Sequence, residues 1–518
     1  MGLNLIDFFD KGVAIEPDRP CLVGIDETRT YRQAQRSSYR IANALIAAGV
    51  KPQTRAAVLS HNAIRPFECV LGALRAGCTW VPVNARNATE ETVYVLSHTD
   101  AEVLFYSAAF SPQIAGILER CPKITLAICI DGPGVAGGPA FDDWIAGTSE
   151  ARPEVWAPGD ALASLACSGG TTGHPKGVMT THQTWAFRIA ETRLRAYHPR
   201  PVHLVAAPMT HGAGAGALEL MSMGATHIIL PGFDPAAIID AIGRHGVTHM
   251  FLPPTALYRL MAHPDALSGN YASLRYLTCA GAPVSPERMK EALSLFGPAM
   301  HTGYGGTEFG TSTCWYTGEE LLAAVRRGDE ARLLSCGRPS ALARVEIVDD
   351  AGVLLPAGEA GEIAIRSYSN ASGYYKNPDE TARSFRDGWF LTGDVGFKDE
   401  GGWLYISDRK KDMIISGGLN IYPSEIEHVL MANPAIQDCA VIGVPDDDWG
   451  EAVKAVIELK PGASTDAGEL EQACRAVLAG YKVPKSFEFW PEIPRSPVGK
   501  VLKRAIRDQF WKDARRAV

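Results

Sequence analysis

Several features that would mark a specialised environment are missing from this chain of 518 residues. No CxxC pair occurs. The 11 cysteines stand singly from Cys21 to Cys474, which excludes zinc-site spacing and a disulfide framework and makes reduced, mostly buried thiols the expectation. Positive charge is in deficit, with 50 lysines and arginines against 58 acidic residues and a net charge of -8, so nothing favours a nucleic-acid partner. No apolar run is long enough to span a bilayer, so no integral membrane segment is expected. The opening Met-Gly-Leu-Asn-Leu-Ile-Asp lacks the basic-then-apolar order of a secretory signal, and Ile6 does not fit a myristoylation signal. The closing Arg-Arg-Ala-Val is not a peroxisomal address, so a cytoplasmic location is expected. Internal repeats, heptads and low-complexity stretches are also missing.

What is present is ample apolar sequence, 46% against 21% charged, enough for several packed cores. From about residue 55 to 300, short β-rich runs alternate with helical patterns: Arg55–Ser60, Glu102–Ser107, Ile124–Ile130, Val202–Pro208, Thr248–Leu252 and Leu274–Cys279 read as strands. That alternation predicts α/β layering around a largely parallel sheet. After about residue 335 come strands separated by Gly, Asp and Pro turns, Arg344–Asp349, Glu362–Arg366 and Trp403–Ser407, which suit a smaller β-rich unit. Beyond Asp408 the pattern predicts a helix over Ser424–Met431, strands near Asp438–Gly443 and Ala452–Glu458, a helix near Ala467–Leu478 and a last helix after Gly499. The expected organisation is a large multi-subdomain α/β domain over 1–407, a hinge at 408–411 and a small, mobile α+β domain over 412–518.

The most informative segment is Ser168-Gly169-Gly170-Thr171-Thr172-Gly173-His174-Pro175-Lys176-Gly177, directly after the strand candidate Ala161–Cys167. Glycines let backbone N–H groups close on an anion, the hydroxyls of Thr171 and Thr172 add donors, and Lys176 supplies a point charge for a polyphosphate. It is not a Walker A loop, because Pro175 precedes the lysine and Gly177 follows it. A flexible surface turn is the plain alternative for a Gly-rich stretch alone.

The loop resembles that of the adenylate-forming superfamily, which includes acyl-CoA synthetases, aryl-CoA ligases, luciferases and peptide-synthetase adenylation domains. Gly169 stands where most members carry Ser. The resemblance covers nearly the whole chain, with the further motifs in order. It implies that Gly281 and Ala282, in Ala280-Gly281-Ala282-Pro283, line the adenine. In Tyr304-Gly305-Gly306-Thr307-Glu308 it implies Tyr304 on the adenine, Thr307 near the adenylate phosphate and Glu308 holding Mg²⁺. Asp394, closing Trp389-Phe390-Leu391-Thr392-Gly393-Asp394, and Arg409, in Asp408-Arg409-Lys410-Lys411-Asp412, correspond to the ribose contacts. Lys411 falls at the hinge, Gly417 and Gly418 correspond to the approach of coenzyme A, and Lys500, in Pro494-Arg495-Ser496-Pro497-Val498-Gly499-Lys500, corresponds to the catalytic lysine.

The activity so implied is ATP-dependent conversion of a carboxylic acid to its acyl-adenylate, followed by transfer to coenzyme A, with Lys500, Thr171, Lys176 and Glu308 as the catalytic groups. The partners are the small-molecule acid and coenzyme A, with a homodimer permitted. His211 and Gly212 resemble residues beside the acyl carboxylate, where an ordinary core or surface histidine is the alternative. Gly305 stands where acetate-type members carry a Trp, which points to an acid larger than acetate. No acidic residue lies between Pro208 and Glu219, which argues against amino-acid substrates. The run Gly212-Ala213-Gly214-Ala215-Gly216 suggests room near the carboxylate, or close helix packing. Alternatives are an enzyme that loads a carrier protein, a luciferase-type oxygenase and a non-catalytic nucleotide-binding sensor.

Overall fold

The computed structural model describes residues 2–168, 175–210, 212–446, 448–496 and 501–511. Among these, four sheets organise the chain. The strands Arg55–Leu59, Thr79–Val83, Val103–Tyr106 and Leu126–Cys129 pair in parallel. They continue into Leu162–Ser168, Lys176–Thr181 and Gly373–Tyr374 to complete a seven-stranded sheet. All four residues of Val103–Tyr106 are buried, as a strand covered on both faces requires. The helix Tyr31–Ala47 buries Tyr31, Ala34, Ser38, Ile41, Ala42 and Leu45 along one stripe, and Thr30 with Gln33 forms its capping box.

A nine-stranded sheet carries Val202–Val205, Thr226–Ile229, His249–Leu252, Tyr276–Cys279 and Met300–Gly306 in parallel pairings. Gly310–Tyr316 folds back antiparallel on Met300–Gly306. The predicted parallel layering is therefore present, with the expected strands trimmed at their ends. All 11 cysteines are free, and each is buried or half-buried.

Ala343–Val348, Gly361–Ser367, Trp389–Lys398 and Leu404–Arg409 pair antiparallel in a third sheet. Its longest member, Trp389–Lys398, carries the Thr392-Gly393-Asp394 motif at an irregularity in its pairing with Gly361–Ser367, where Gly393 takes a φ of +73°. The fourth sheet holds Ile414–Ser416, Leu419–Ile421, Ile436–Asp446, Gly450–Leu459 and Ser486–Phe489, flanked by the helices Pro423–Met431, Ala467–Val477 and Lys503–Trp511. No helix among the described residues is long and apolar enough to cross a membrane.

Candidate active site

Ser168 and Lys176 are register partners at the loop end of the hairpin formed by Leu162–Ser168 and Lys176–Thr181. Gly170, Thr171, Thr172 and Gly173, which join them, lie outside the described residues. The hairpin end faces the turn after Met300–Gly306: the Ser168 hydroxyl donates to Glu308 Oε1 over 2.9 Å. Tyr374 donates to the same oxygen over 3.4 Å. The Glu308 carbonyl accepts from the Ala371 amide at 2.6 Å. One residue earlier, the Thr307 carbonyl accepts from Arg188 Nη2 over 2.9 Å. Arg188 also donates to the Ser369 carbonyl and is buried, and that burial, opposed by Glu219, Glu308 and Glu191, lowers it to about 10. Both ends of the Thr307-Glu308 turn are thus fixed by groups far away in the chain.

Tyr304 lies two residues past Thr302, whose hydroxyl donates to the Cys279 carbonyl at 2.9 Å. Gly281 and Ala282 therefore leave the sheet beside Tyr304, at the carboxyl ends of neighbouring parallel strands, where α/β sheets open their binding crevice. The buried Tyr304 ring tilts on Phe309 with centroids 5.1 Å apart. Its hydroxyl donates to Asp394 Oδ2 at 2.5 Å, and burial followed by the Asp394 charge raises the phenol well above its usual range. Arg409 Nε lies 3.4 Å from the other oxygen of Asp394, because the two residues are partners in the third sheet. Glu362 accepts from the Gly393 amide at 3.0 Å and from Lys410 Nζ at 3.1 Å, which fixes that corner.

Lys411 is exposed, yet desolvation at its ammonium, followed by the like charge of Arg409, lowers it to about 8. Smaller contributions from Lys176 and Asp394 place it within the field of the same site. Gly417 and Gly418, at φ +57° and +79°, form the two-residue turn between Ile414–Ser416 and Leu419–Ile421. Two successive positive φ values are what a type I′ hairpin demands, so this turn alone accounts for both glycines.

His211 and Lys500 lie outside the described residues. Gly212 opens the helix Gly212–Leu220. Within it, a Cβ on Gly214 would fall 1.6 Å from the Met209 carbonyl oxygen, so that glycine serves close packing and not added room. A Cβ on Gly305 would meet the Thr311 backbone at 2.4 Å. The space beside Gly305 is therefore filled by the returning strand.

Among the described residues no three His, Cys, Asp or Glu side chains gather as a metal cage. Glu308 is a single carboxylate braced by two hydroxyls, a hard-oxygen donor set that fits Mg²⁺ held mainly through phosphate and water oxygens. Three contributors to the site have no local signature: Arg188, Tyr374 and Glu380, the last of which pairs with the Lys176 ammonium. The only sequence cue to the last two is the Tyr-Tyr-Lys-Asn-Pro-Asp-Glu run, where Asn377 caps the helix Pro378–Ser384.

Ser168, Glu308, Tyr304, Asp394 and Arg409 are thus linked side chain to side chain where the hairpin, the nine-stranded sheet and the third sheet meet, beside the carboxyl ends of parallel strands. Residues 9–375 match the family described as AMP-binding enzyme, and residues 425–500 match the AMP-binding enzyme C-terminal domain. This chain belongs to that family, the adenylate-forming superfamily, in its acyl-CoA synthetase branch. It is similar to a feruloyl-CoA synthase of Amycolatopsis sp., 36% identical over 491 residues that cover 93% of this chain and 94% of the relative. It is also similar to the fatty acid–[acyl-carrier-protein] ligase ScoC of Streptomyces coeruleorubidus, 31% identical over 97% of this chain and 96% of that one. Among solved structures, the amide bond synthetase McbA of Marinactinospora thermotolerans superposes with a TM-score of 0.88 at 30% identity, covering 98% of this chain and 100% of McbA.

Proposed function

We propose that this enzyme is an acid–thiol ligase that activates a carboxylic acid larger than acetate as its acyl-adenylate and transfers the acyl group to coenzyme A. The observation that supports this reading is Glu308, which touches the hairpin end through Ser168 while Tyr304, four residues earlier, touches Asp394, the carboxylate we assign to the ribose. One short segment would therefore serve both the phosphate and the nucleoside parts of ATP. The feruloyl-CoA synthase relative supports coenzyme A as the acceptor and an acid larger than acetate, a size for which Gly305, packed against the Thr311 backbone, gives no support of its own.

In the first half-reaction a carboxylate oxygen attacks the α-phosphorus, the bond to the bridging oxygen breaks and pyrophosphate leaves. Lys176, Thr171, Thr172 and Lys500 would share the negative charge that spreads over the phosphates, while Asp394 and Arg409 hold the ribose and Tyr304, Gly281 and Ala282 the adenine. Mg²⁺ at Glu308 would neutralise phosphate oxygens. In the second half-reaction the coenzyme A sulfur attacks the acyl carbon, AMP departs and the thiol proton passes to solvent. Movement of the smaller domain about Lys411 would withdraw Lys500 and bring up the Gly417–Gly418 turn. His211 and Gly212 would flank the acyl group.

A second reading, transfer to a carrier protein, has the similarity to ScoC in its favour. Pyrophosphate release measured over a panel of acids, with and without coenzyme A, tests both. Acyl-CoA formation with an aryl or C6–C10 acid is expected, and acetate should lag, since each buried methylene contributes about 0.8 kcal/mol. Pyrophosphate release with no thioester to coenzyme A from any acid would favour the carrier reading.

A further inference from the structure

Lys176 does not stand alone at the hairpin end. Its ammonium pairs with Glu380 Oε1, and both side chains are largely buried, at 19% and 22% exposed. The other carboxylate oxygen of Glu380 accepts from Arg383 Nη2 at 2.8 Å and Nε at 3.2 Å. On its remaining side the ammonium lies 5.0 Å from the centroid of the Tyr374 ring, and the hydroxyl of that ring reaches Glu308. One short segment, Gly373 to Arg383, thus supplies a carboxylate and an aromatic face to the lysine and a hydroxyl to the carboxylate expected at the metal. Burial opposes the charge on Glu380, but its hydrogen bonds from Lys176 and Arg383 prevail and hold it below the usual carboxylate range, so it is an anion at neutral pH.

We propose that Glu380 is a positioning residue for adenylation: it fixes the Lys176 ammonium at the hairpin end, while Arg383 retains Glu380 when phosphate oxygens compete for the lysine. A free lysine loses considerable rotamer entropy when it is ordered, and a charge positioned in advance stabilises a transition state without that loss. The same pairing acts against ground-state binding, since an incoming polyphosphate must share Lys176 with a carboxylate. Removing the carboxylate while keeping its shape should therefore lower the rate of adenylation without weakening ATP binding. This rests on the reading of Lys176 as a phosphate ligand.

The test is Glu380→Gln in the full-length enzyme, with pyrophosphate release and acyl transfer from supplied acyl-AMP to coenzyme A measured separately. The expected result is kcat for pyrophosphate release at least tenfold lower, KM for ATP unchanged or reduced, and acyl transfer within twofold of the parent enzyme. A parallel fall in both half-reactions would mean a merely structural role and overturn the proposal, as would a kcat for adenylation within twofold of the parent or a raised KM for ATP. Lys176→Ala separates the two levels. If it releases pyrophosphate like the parent, the assignment of Lys176 fails and takes this proposal with it; if it is impaired while Glu380→Gln is not, only the role of Glu380 is wrong.

Discussion

The Tyr304 hydroxyl donates to Oδ2 of Asp394 across 2.5 Å, tying the end of a parallel strand in the nine-stranded sheet to the middle of an antiparallel strand in the third sheet. Ninety positions separate the two residues. Asp394 meets Tyr304 on one oxygen and Arg409 on the other, so the carboxylate proposed for the ribose is oriented from both sides.

Tyr304→Phe should therefore raise KM for ATP about tenfold. A hydrogen bond to a charged group is worth roughly 1.5–3 kcal/mol, and its loss leaves the carboxylate free to turn from the ribose. ATP titration by initial rates checks this, and a KM within twofold of the parent would count against the role.

Gly305→Ala should destabilise the protein by about 1–3 kcal/mol and impair adenylation, because its Cβ would press on the Thr311 backbone and displace the hairpin that carries Thr307 and Glu308. Urea unfolding and pyrophosphate release measure the two effects. Parent-like values in both would show that the hairpin yields easily at this point.

Lys411→Pro should separate the half-reactions. Proline fixes φ near −65° within a turn where the Asp412 and Met413 amides both donate to the Arg409 carbonyl. Adenylation at close to the parent rate, with acyl transfer to coenzyme A slowed at least tenfold, about 1.4 kcal/mol of barrier, is the expected outcome. Equal losses would indicate misfolding, and no loss in either would place the hinge elsewhere.

Acid should destabilise the fold through its buried histidines. His203 and His227 sit on paired strands with Nδ1 atoms 3.2 Å apart. Burial, then neighbouring positive or titratable groups, pushes His203 well below its usual range and His227 to about 3. Burial also lowers His182, His249 and His301 to about 4. Folded pKa values below the unfolded one mean that the unfolded chain binds more protons in acid. Their contribution is thus complete above about pH 6.5 and is lost as pH falls, by up to about 1.4 kcal/mol per unit for each histidine. Glu68, raised to about 7 by burial, and Glu219, Glu427 and Asp438, also raised by burial, act in the opposite sense, but the five histidines outnumber them. Urea midpoints at pH 7.5, 6 and 5 should fall in that order, and a level series would contradict the account.

The sequence by itself determined the order of elements and the motifs, because each depends on neighbours. Alternating apolar runs specify strands and helices, whereas the capping by Thr30 and Asn377 and the positive φ at Gly417 and Gly418 emerge only in the structure. The tertiary structure decided which motifs meet. Ser168 reaches Glu308 across 140 positions and Lys176 reaches Glu380 across 204, pairings set by strand order and register, to which no local pattern is sensitive. It also decided what the small residues are for. A glycine read along the chain can mean open space or close contact, and the neighbours of Gly305 and Gly214, fixed only once strand and helix have folded back, make both of them close contacts.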